Sequence, residues 1–205
     1  DVKGSEVIRL RQWGSDHVYP LPDPREKKHH PLHAWTVGAA PDCDLQIHDP
    51  TRRTSRHHAT LIREKAYWSL VDVGSKNGIR VDGVPQATSL LDAGQELQIG
   101  GVLLIAESVR LIVLRDFLSR ILGWGAAASE RVDLALRAIR TAVVRRLPLI
   151  LRGEGDLVPL AAQLHRKMLG PGRPFVLCDP RRTSTDAHAR SVPNELTIDD
   201  ALEAA

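Results

Sequence analysis

The first half of the chain alternates short apolar runs with polar turns, a pattern typical of β-strands. Residues 7–10 and 35–37 are short apolar runs, and residues 96–99 alternate apolar and polar positions as half-buried strands do. Residues 59–62 and 67–71 flank a polar turn, which predicts a hairpin. Many short strands separated by Gly, Asp and Asn turns predict an antiparallel β-sandwich.

The second half of the chain has the apolar spacing of helices. Residues 109–122 and 132–144 each place apolar side chains on one helical face, and the small residues between them predict a linker. Further on, short apolar runs at 149–151 and 175–177 flank a predicted helix at 159–169. This strand–helix–strand order predicts a small α/β segment.

Composition narrows the possible classes of protein. The 205 residues are 42% hydrophobic, and no apolar run reaches the roughly 18–20 residues of a membrane helix. The sequence begins with no charged and then apolar leader, so we expect a cytoplasmic protein that does not contact a membrane. Cys43 and Cys178 lie in different segments, and we expect both to be free thiols. A formal charge of +3 is too small to predict direct nucleic-acid binding.

Two polar clusters carry the chemistry of the first half. Ser55 and Arg56 lie in one predicted loop, and Lys76 and Asn77 lie in another predicted loop about twenty residues later. A hydroxyl and two cations make short, charge-assisted bonds to phosphate oxygens. An Asn side chain both donates and accepts, so it can bridge a peptide unit. The set therefore predicts a site for a phosphate next to a peptide backbone.

Motifs in a fixed order over residues 35–105 resemble those of a forkhead-associated (FHA) domain. FHA domains are among the modules that bind phosphorylated motifs. The resemblance implies a phosphothreonine-dependent protein-binding module in bacterial signalling or transcriptional regulation, whose partner is a phosphothreonine-containing protein or peptide. The preference for phosphothreonine is implied by the resemblance alone. In chain order, the motifs are Val37-Gly38-Ala39, Asp42-Cys43-Asp44-Leu45, Ser55-Arg56-His57-His58-Ala59, Asp72-Val73-Gly74-Ser75-Lys76-Asn77-Gly78 and Ile99-Gly100-Gly101.

The same resemblance assigns roles within the two clusters. Ser55 and Arg56 would hold the phosphate, Lys76 would add charge, and Asn77 would hold the peptide backbone. The alternative is ordinary turn chemistry, because Ser and Asn also cap turns by bonding their own backbone. We expect purely structural roles for five residues of these motifs: Gly38, His58, Asp72, Gly74 and Gly78. The role of His58 would be that of a buried imidazole between the two loops.

One position departs from the FHA pattern. The arginine of the family's Gly-Arg motif is replaced by Ala39, which removes a cationic donor. A hydrogen bond to a charged group contributes about 1.5–3 kcal/mol, so its loss would weaken binding tenfold or more. We expect Arg52 or Arg53 to replace the missing charge. The alternative for Arg52 and Arg53 is that they lie in a solvated loop and contact no ligand. The alternative for the protein is a scaffold that binds its partner without phosphate.

The segment from residue 149 to 178 resembles the opening of the AAA+ domain in sigma-54-dependent activators. Its phosphate loop is degenerate, because Leu157 stands where the nucleotide-binding Lys belongs and Asp156 adds negative charge. We therefore expect no ATP hydrolysis, no catalysis in this chain and no cofactor. The alternative is that the chain is part of a sigma-54-type AAA+ transcription regulator.

These patterns predict three parts in the chain. Residues 1–108 form the FHA domain, residues 109–130 a helix and linker, and residues 131–205 a degenerate or truncated AAA+-like α/β segment. The last part lacks apolar cover, so we expect it to need a partner or a missing C-terminal region. The histidines at 29, 30 and 33 have no partners at zinc-site spacing, so no metal site is predicted.

Overall fold

The computed structural model describes residues 6–22, 34–64, 67–123, 125–170 and 172–176. The chain divides into two compact units, Asp1–Leu147 and Pro148–Ala205. Unit 1 holds eleven strands and two helices among its described residues, and unit 2 holds one helix in the part that the structure describes. None of the helices in the described ranges is long and apolar enough to cross a membrane.

Unit 1 is built on two facing β-sheets, as the alternating pattern predicted. The six-stranded sheet has the order β2-β1-β11-β10-β7-β8, and the five-stranded sheet has the order β4-β3-β5-β6-β9. All pairings are antiparallel except the short parallel pair β3–β4. The strands are β1 Val7–Gln12, β2 Val18–Pro20, β3 Ala34–Gly38, β4 Leu45–Gln46, β5 Ala59–Glu64, β6 Tyr67–Asp72, β7 Ile79–Val81, β8 Val84–Gln86, β9 Thr88–Leu90, β10 Glu96–Ile99 and β11 Val102–Ser108.

The core lies between the sheets and is filled by every second residue of the central strands. Leu61 and Leu70 face each other across the β5–β6 hairpin and are wholly buried, as are Leu97 and Leu104 on β10 and β11. Burying each leucine side chain contributes about 1.5–3 kcal/mol. The predicted hairpin is confirmed, with Ala59 opposite Asp72 at the end where the two loops emerge.

Two helices follow the last strand. Helix α1 spans Val109–Leu122 and begins at Ser108, whose hydroxyl accepts a hydrogen bond from the Leu111 N–H as an N-cap. Helix α2 spans Ala126–Arg145, so the predicted linker over 123–129 is wrong. Between the two helices, Gly123 and Gly125 both have a positive φ of 99°, a conformation that glycine adopts without strain.

Helix α2 belongs to the sandwich rather than to the segment that follows. The Asp133 carboxylate is wholly buried and accepts hydrogen bonds from the Arg11 guanidinium on β1 and, at 2.8 Å, from the Gly14 N–H. Arg11 also donates to Glu107 on β11 at 2.6 Å. The predicted boundary at 130/131 therefore cuts through a helix that is tied to the sheet, and the units divide at 147/148 instead.

Partly exposed side chains farther along α2 also attach this helix to the sheet. Arg137 pairs with Glu96 and lies over the Trp13 ring, 4.1 Å from its centroid. One turn later, Arg140 donates to both carboxylate oxygens of Asp82, at 2.7 and 2.9 Å. These contacts fix the helix against the six-stranded sheet, at the β1–β2 turn, strand β10 and the β7–β8 turn.

Unit 2 contains the predicted helix but not the predicted strands. Helix α3 spans Val158–Leu169, with Pro159 in its first turn. Residues 149–151, 175 and 176 are not in strands, and residue 177 lies outside the described residues. A single short strand needs a hydrogen-bonded neighbour, and no strand is found in the described residues of this unit. The α/β arrangement expected for 131–205 is therefore not formed in the described residues.

The buried ion-pair network predicts a large effect of Asp133→Ala. The substitution leaves the Arg11 guanidinium buried with Glu107 as its only remaining carboxylate, so we expect a loss of about 3 kcal/mol. Urea unfolding of the full chain measures it. Asp116→Ala is the control, because it breaks an exposed pair with Arg120 within α1 and should change stability by less than about 0.5 kcal/mol. Equal effects of the two substitutions would contradict a network that ties α2 to the sheet.

Candidate functional site

Two loops meet at one end of the sandwich, and one buried histidine joins them. The first loop, residues 47–58, connects β4 to β5, and the second loop, residues 73–78, connects β6 to β7. The Nδ1 atom of His58 accepts a hydrogen bond from the Ser55 N–H at 3.0 Å. Because Nδ1 accepts, the ring carries its proton on Nε2, which lies 3.0 Å from the carbonyl of Gly78 and 3.0 Å from the Ser75 hydroxyl.

Direct contacts between the loops bring the predicted site residues together. The Ser55 Oγ accepts a hydrogen bond from the Lys76 N–H at 3.0 Å. The Asn77 amide donates to the carbonyl of Arg53 at 2.5 Å. Arg56 and the side chains of Lys76 and Asn77 are exposed, whereas Ser55 is half-buried. The hydroxyl, the carboxamide and the two cationic residues thus lie at one junction between the loops.

The second loop is shaped by short-range bonds. The Asp72 carboxylate accepts from the Ser75 N–H at 3.3 Å, and the Ser75 hydroxyl accepts from the Gly78 N–H at 2.9 Å. Gly74 and Gly78 both have positive φ, at 84° and 68°, where a Cβ would be strained. This compact turn holds Lys76 and Asn77 at its outer corner.

Gly38 allows the first loop to approach strand β3 closely. A Cβ at this position would lie 2.1 Å from the carbonyl oxygen of Arg56, a distance that no real contact allows. The next two residues are hydrogen-bonded to the first loop. The Ala39 N–H donates to the Ser55 carbonyl, and the Ala40 N–H donates to the Arg56 carbonyl, both at 3.0 Å. Any side chain at position 39 therefore starts beside Ser55.

The arginine pair lies on the same loop. Arg52 has a φ of 54°, an uncommon conformation for a residue with a side chain. Arg52 and Arg53 are both exposed, and the backbone carbonyl of Arg53 contacts Asn77. The pair thus lies near the loop junction, and whether either guanidinium replaces the missing arginine stays a prediction.

Sequence reasoning missed Asp49, which organises the first loop. Its carboxylate accepts from the N–H and the hydroxyl of both Thr51 and Thr54, at 2.6–2.9 Å, and from the N–H groups of Arg53 and Gly101. Partial burial raises the pKa of Asp49, but the bonds from Thr51 and Thr54 outweigh it and hold the pKa well below its ordinary value. The signal in the sequence is an Asp followed by Pro and Thr, typical of a side chain that caps a turn.

Comparison with known proteins places the similarity in the sandwich. A family model described as the inner membrane component of T3SS, cytoplasmic domain, matches residues 25–109, which contain β3 to β11. The oxoglutarate dehydrogenase inhibitor of Corynebacterium diphtheriae is 40% identical over 65 residues, 32% of this chain and 44% of that protein. The glycogen accumulation regulator GarA of Mycobacterium tuberculosis is also 40% identical over 65 residues, 39% of that protein. The chain spans less than half the length of these relatives.

Solved FHA structures are also similar to this chain. The N-terminal FHA domain of S. cerevisiae Rad53p, in complex with a phosphothreonine peptide, matches 50% of this chain and 93% of its own, with 24% identity and a TM-score of 0.42. A structure from an analysis of phosphothreonine-dependent FHA domain interactions matches 49% of this chain and 95% of its own, with 22% identity and a TM-score of 0.41.

The lowered pKa of Asp49 predicts a specific acid sensitivity. The folded state binds this proton only at lower pH than the unfolded state, so the stabilisation is present above the ordinary pKa of 3.8 and is lost as pH falls below it. We expect the unfolding free energy of the native protein to fall more steeply below about pH 4 than that of Asp49→Asn. Urea unfolding at several pH values measures both slopes. Parallel slopes would contradict this role of Asp49.

Proposed function

We propose that this chain is an FHA-type module that binds phosphothreonine-containing proteins through the junction of its two loops. The observation that carries the proposal is a pair of hydrogen bonds between the loops, one from the Lys76 N–H to the Ser55 hydroxyl and one from the Asn77 carboxamide to the Arg53 carbonyl. Arg56 and the Lys76 side chain are exposed beside them. The hydroxyl and the carboxamide are thereby held by hydrogen bonds between the loops, while the two cationic side chains extend from the same loops. The hydroxyl and the carboxamide need little reordering when a ligand arrives, which reduces the entropic cost of binding.

Each side chain keeps the hydrogen-bonding capacity that its proposed role needs. The Ser55 Oγ accepts from Lys76 with one lone pair, so its own proton remains to be donated to a phosphate oxygen. The Asn77 side-chain nitrogen donates to the carbonyl of Arg53, and the carboxamide oxygen of Asn77 can accept a hydrogen bond from an N–H of the bound peptide. Arg56 and Lys76 supply positive charge to a group that carries about −1.5 to −2 near neutral pH.

The relatives support a regulatory role for such a module. They are named as an inhibitor and as a regulator, and both are similar to this chain at 40% identity over 65 residues. We propose that this chain likewise acts in bacterial signalling or transcriptional regulation by binding a phosphorylated partner, in the cytoplasm and without catalysing a reaction. The proposal concerns unit 1.

For unit 2 we propose no nucleotide chemistry. Its resemblance to an AAA+ segment rests on the sequence and on α3, since neither predicted strand is found in the described residues. The loop before α3 has Leu157 in place of the nucleotide-binding Lys, and the Asp156 carboxylate accepts from the Val158 N–H at 3.1 Å, at the end where phosphates would bind. An anion at that position opposes phosphate binding.

The proposed function predicts a large affinity difference between two matched peptides. The full chain should bind a phosphothreonine peptide from a degenerate library at least tenfold more tightly than its unphosphorylated form, since charge-assisted bonds each contribute about 1.5–3 kcal/mol. Ser55→Ala and Arg56→Ala should each remove most of that difference. Arg120→Ala is the control, because this exposed arginine lies on α1. Equal affinity for both peptide forms in calorimetry would instead favour a phosphate-independent scaffold.

A second prediction concerns the missing arginine of the Gly-Arg motif. Position 39 lies beside Ser55, so Ala39→Arg should bring a guanidinium to the phosphate and raise affinity for the phosphorylated peptide about tenfold. The double variant Arg52→Ala/Arg53→Ala should lower the affinity for the phosphorylated peptide, because we expect one of these arginines to replace the missing charge. Ala39→Gln is the matched control, since it adds length without charge. An unchanged affinity in the double variant would remove the arginine pair from the site.

A further inference from the structure

A second cluster of polar side chains lies beside the loop junction and has no role in the proposed phosphate site. Asp42 and Cys43 lie on the turn between β3 and β4, and His57 follows Arg56 on the first loop. One ligand atom from each of these three residues, the carboxylate oxygen, the thiol sulfur and the imidazole nitrogen, lies within 4.8 Å of the other two. This cluster is not evident from the sequence, because His57 is fourteen residues from Cys43.

The three donors suit a borderline-soft divalent ion. Zinc binds thiolate at about 2.3 Å, imidazole at about 2.0–2.1 Å and carboxylate at about 2.0–2.2 Å, in a tetrahedral arrangement. Two such ligands on one ion are about 3.4–3.6 Å apart. The His57 Nε2 and the Asp42 Oδ2 are already 3.3 Å apart. Closing the remaining separations needs a shift of about 1 Å, which the exposed side chains of Asp42 and His57 can make.

Metal binding at Cys43 must displace the thiol proton, which burial and the nearby Asp42 carboxylate hold in place by raising the pKa of the thiol. The Sγ donates to the carbonyl of Arg56 at 3.2 Å, a bond that would be lost when a metal replaces the thiol proton. The same carbonyl also accepts from the Ala40 N–H at 3.0 Å, so it is not left without a partner. Cys43 is itself buried, which gives the site one fixed ligand and two adjustable ones.

We propose that Asp42, Cys43 and His57 form a three-ligand zinc site, with the fourth position open to water. The ion would link the β3–β4 turn, which carries Asp42 and Cys43, to His57 on the first loop. The charges of the thiolate and the carboxylate would balance the two positive charges of the ion. The metal site itself does not depend on the proposed phosphopeptide function.

Cobalt titration of the untagged full chain tests the proposal. Co²⁺ serves as the probe, because a thiolate ligand gives a charge-transfer absorption in the near ultraviolet, and zinc should displace it. Four donors outside the cluster are first removed in a background variant that carries His29→Ala, His30→Ala, His33→Ala and Cys178→Ser. We expect this background to bind one equivalent of Co²⁺ with that absorption and to release it to Zn²⁺.

Single substitutions in the background then assign the ligands. Cys43→Ser, His57→Ala and Asp42→Ala should each abolish stoichiometric binding, whereas His48→Ala should not, because this exposed histidine lies outside the cluster. His57 is exposed, so its variant keeps the fold even where Cys43→Ser does not. The site is overturned if the background binds no Co²⁺, or if any of the three variants still binds one equivalent with the thiolate absorption.

Discussion

The buried imidazole of His58 is the constraint on which the functional end of this protein depends. Three of its hydrogen-bond partners, Ser55, Ser75 and Gly78, come from two loops that are twenty residues apart in the chain. An apolar residue here would leave the half-buried Ser55 N–H and Gly78 carbonyl without this partner, at a cost of up to about 1–3 kcal/mol each. The histidine therefore sets the distance between the loops, and the exposed groups on both loops follow from it.

Around this bridge, each loop is fixed by a different physical device. The first loop is wound around the Asp49 carboxylate and lies against Gly38, where only a glycine leaves room for the Arg56 carbonyl. The second loop is a tight turn with positive φ at Gly74 and Gly78. Because these devices hold the backbone, the exposed side chains of Arg56, Lys76 and Asn77 start from defined positions. A preorganised group of donors is what a phosphorylated peptide requires for selective binding.

The sequence predicted those features that depend on local pattern or on a short motif. Alternation predicted the sandwich strands, and the loop motifs predicted which residues of the two loops would meet. Features that depend on distant partners were missed: Asp133 has a sheet partner more than a hundred residues away, and the Asp42–Cys43–His57 cluster forms only when two loops pack. The strand predicted at 149–151 failed for the related reason that a strand needs a neighbour, which no local pattern specifies.

The junction of the two loops is the proposed binding site for a phosphorylated ligand. The most direct measurement is a ¹H–¹⁵N NMR titration of the full chain with a phosphothreonine peptide and its unphosphorylated form. We expect the amide signals of Ser55, Arg56, Lys76 and Asn77 to shift with the phosphorylated peptide only, while those of α1 and α2 stay unchanged. Shifts concentrated on the helices, or the same loop shifts with both peptides, would contradict it.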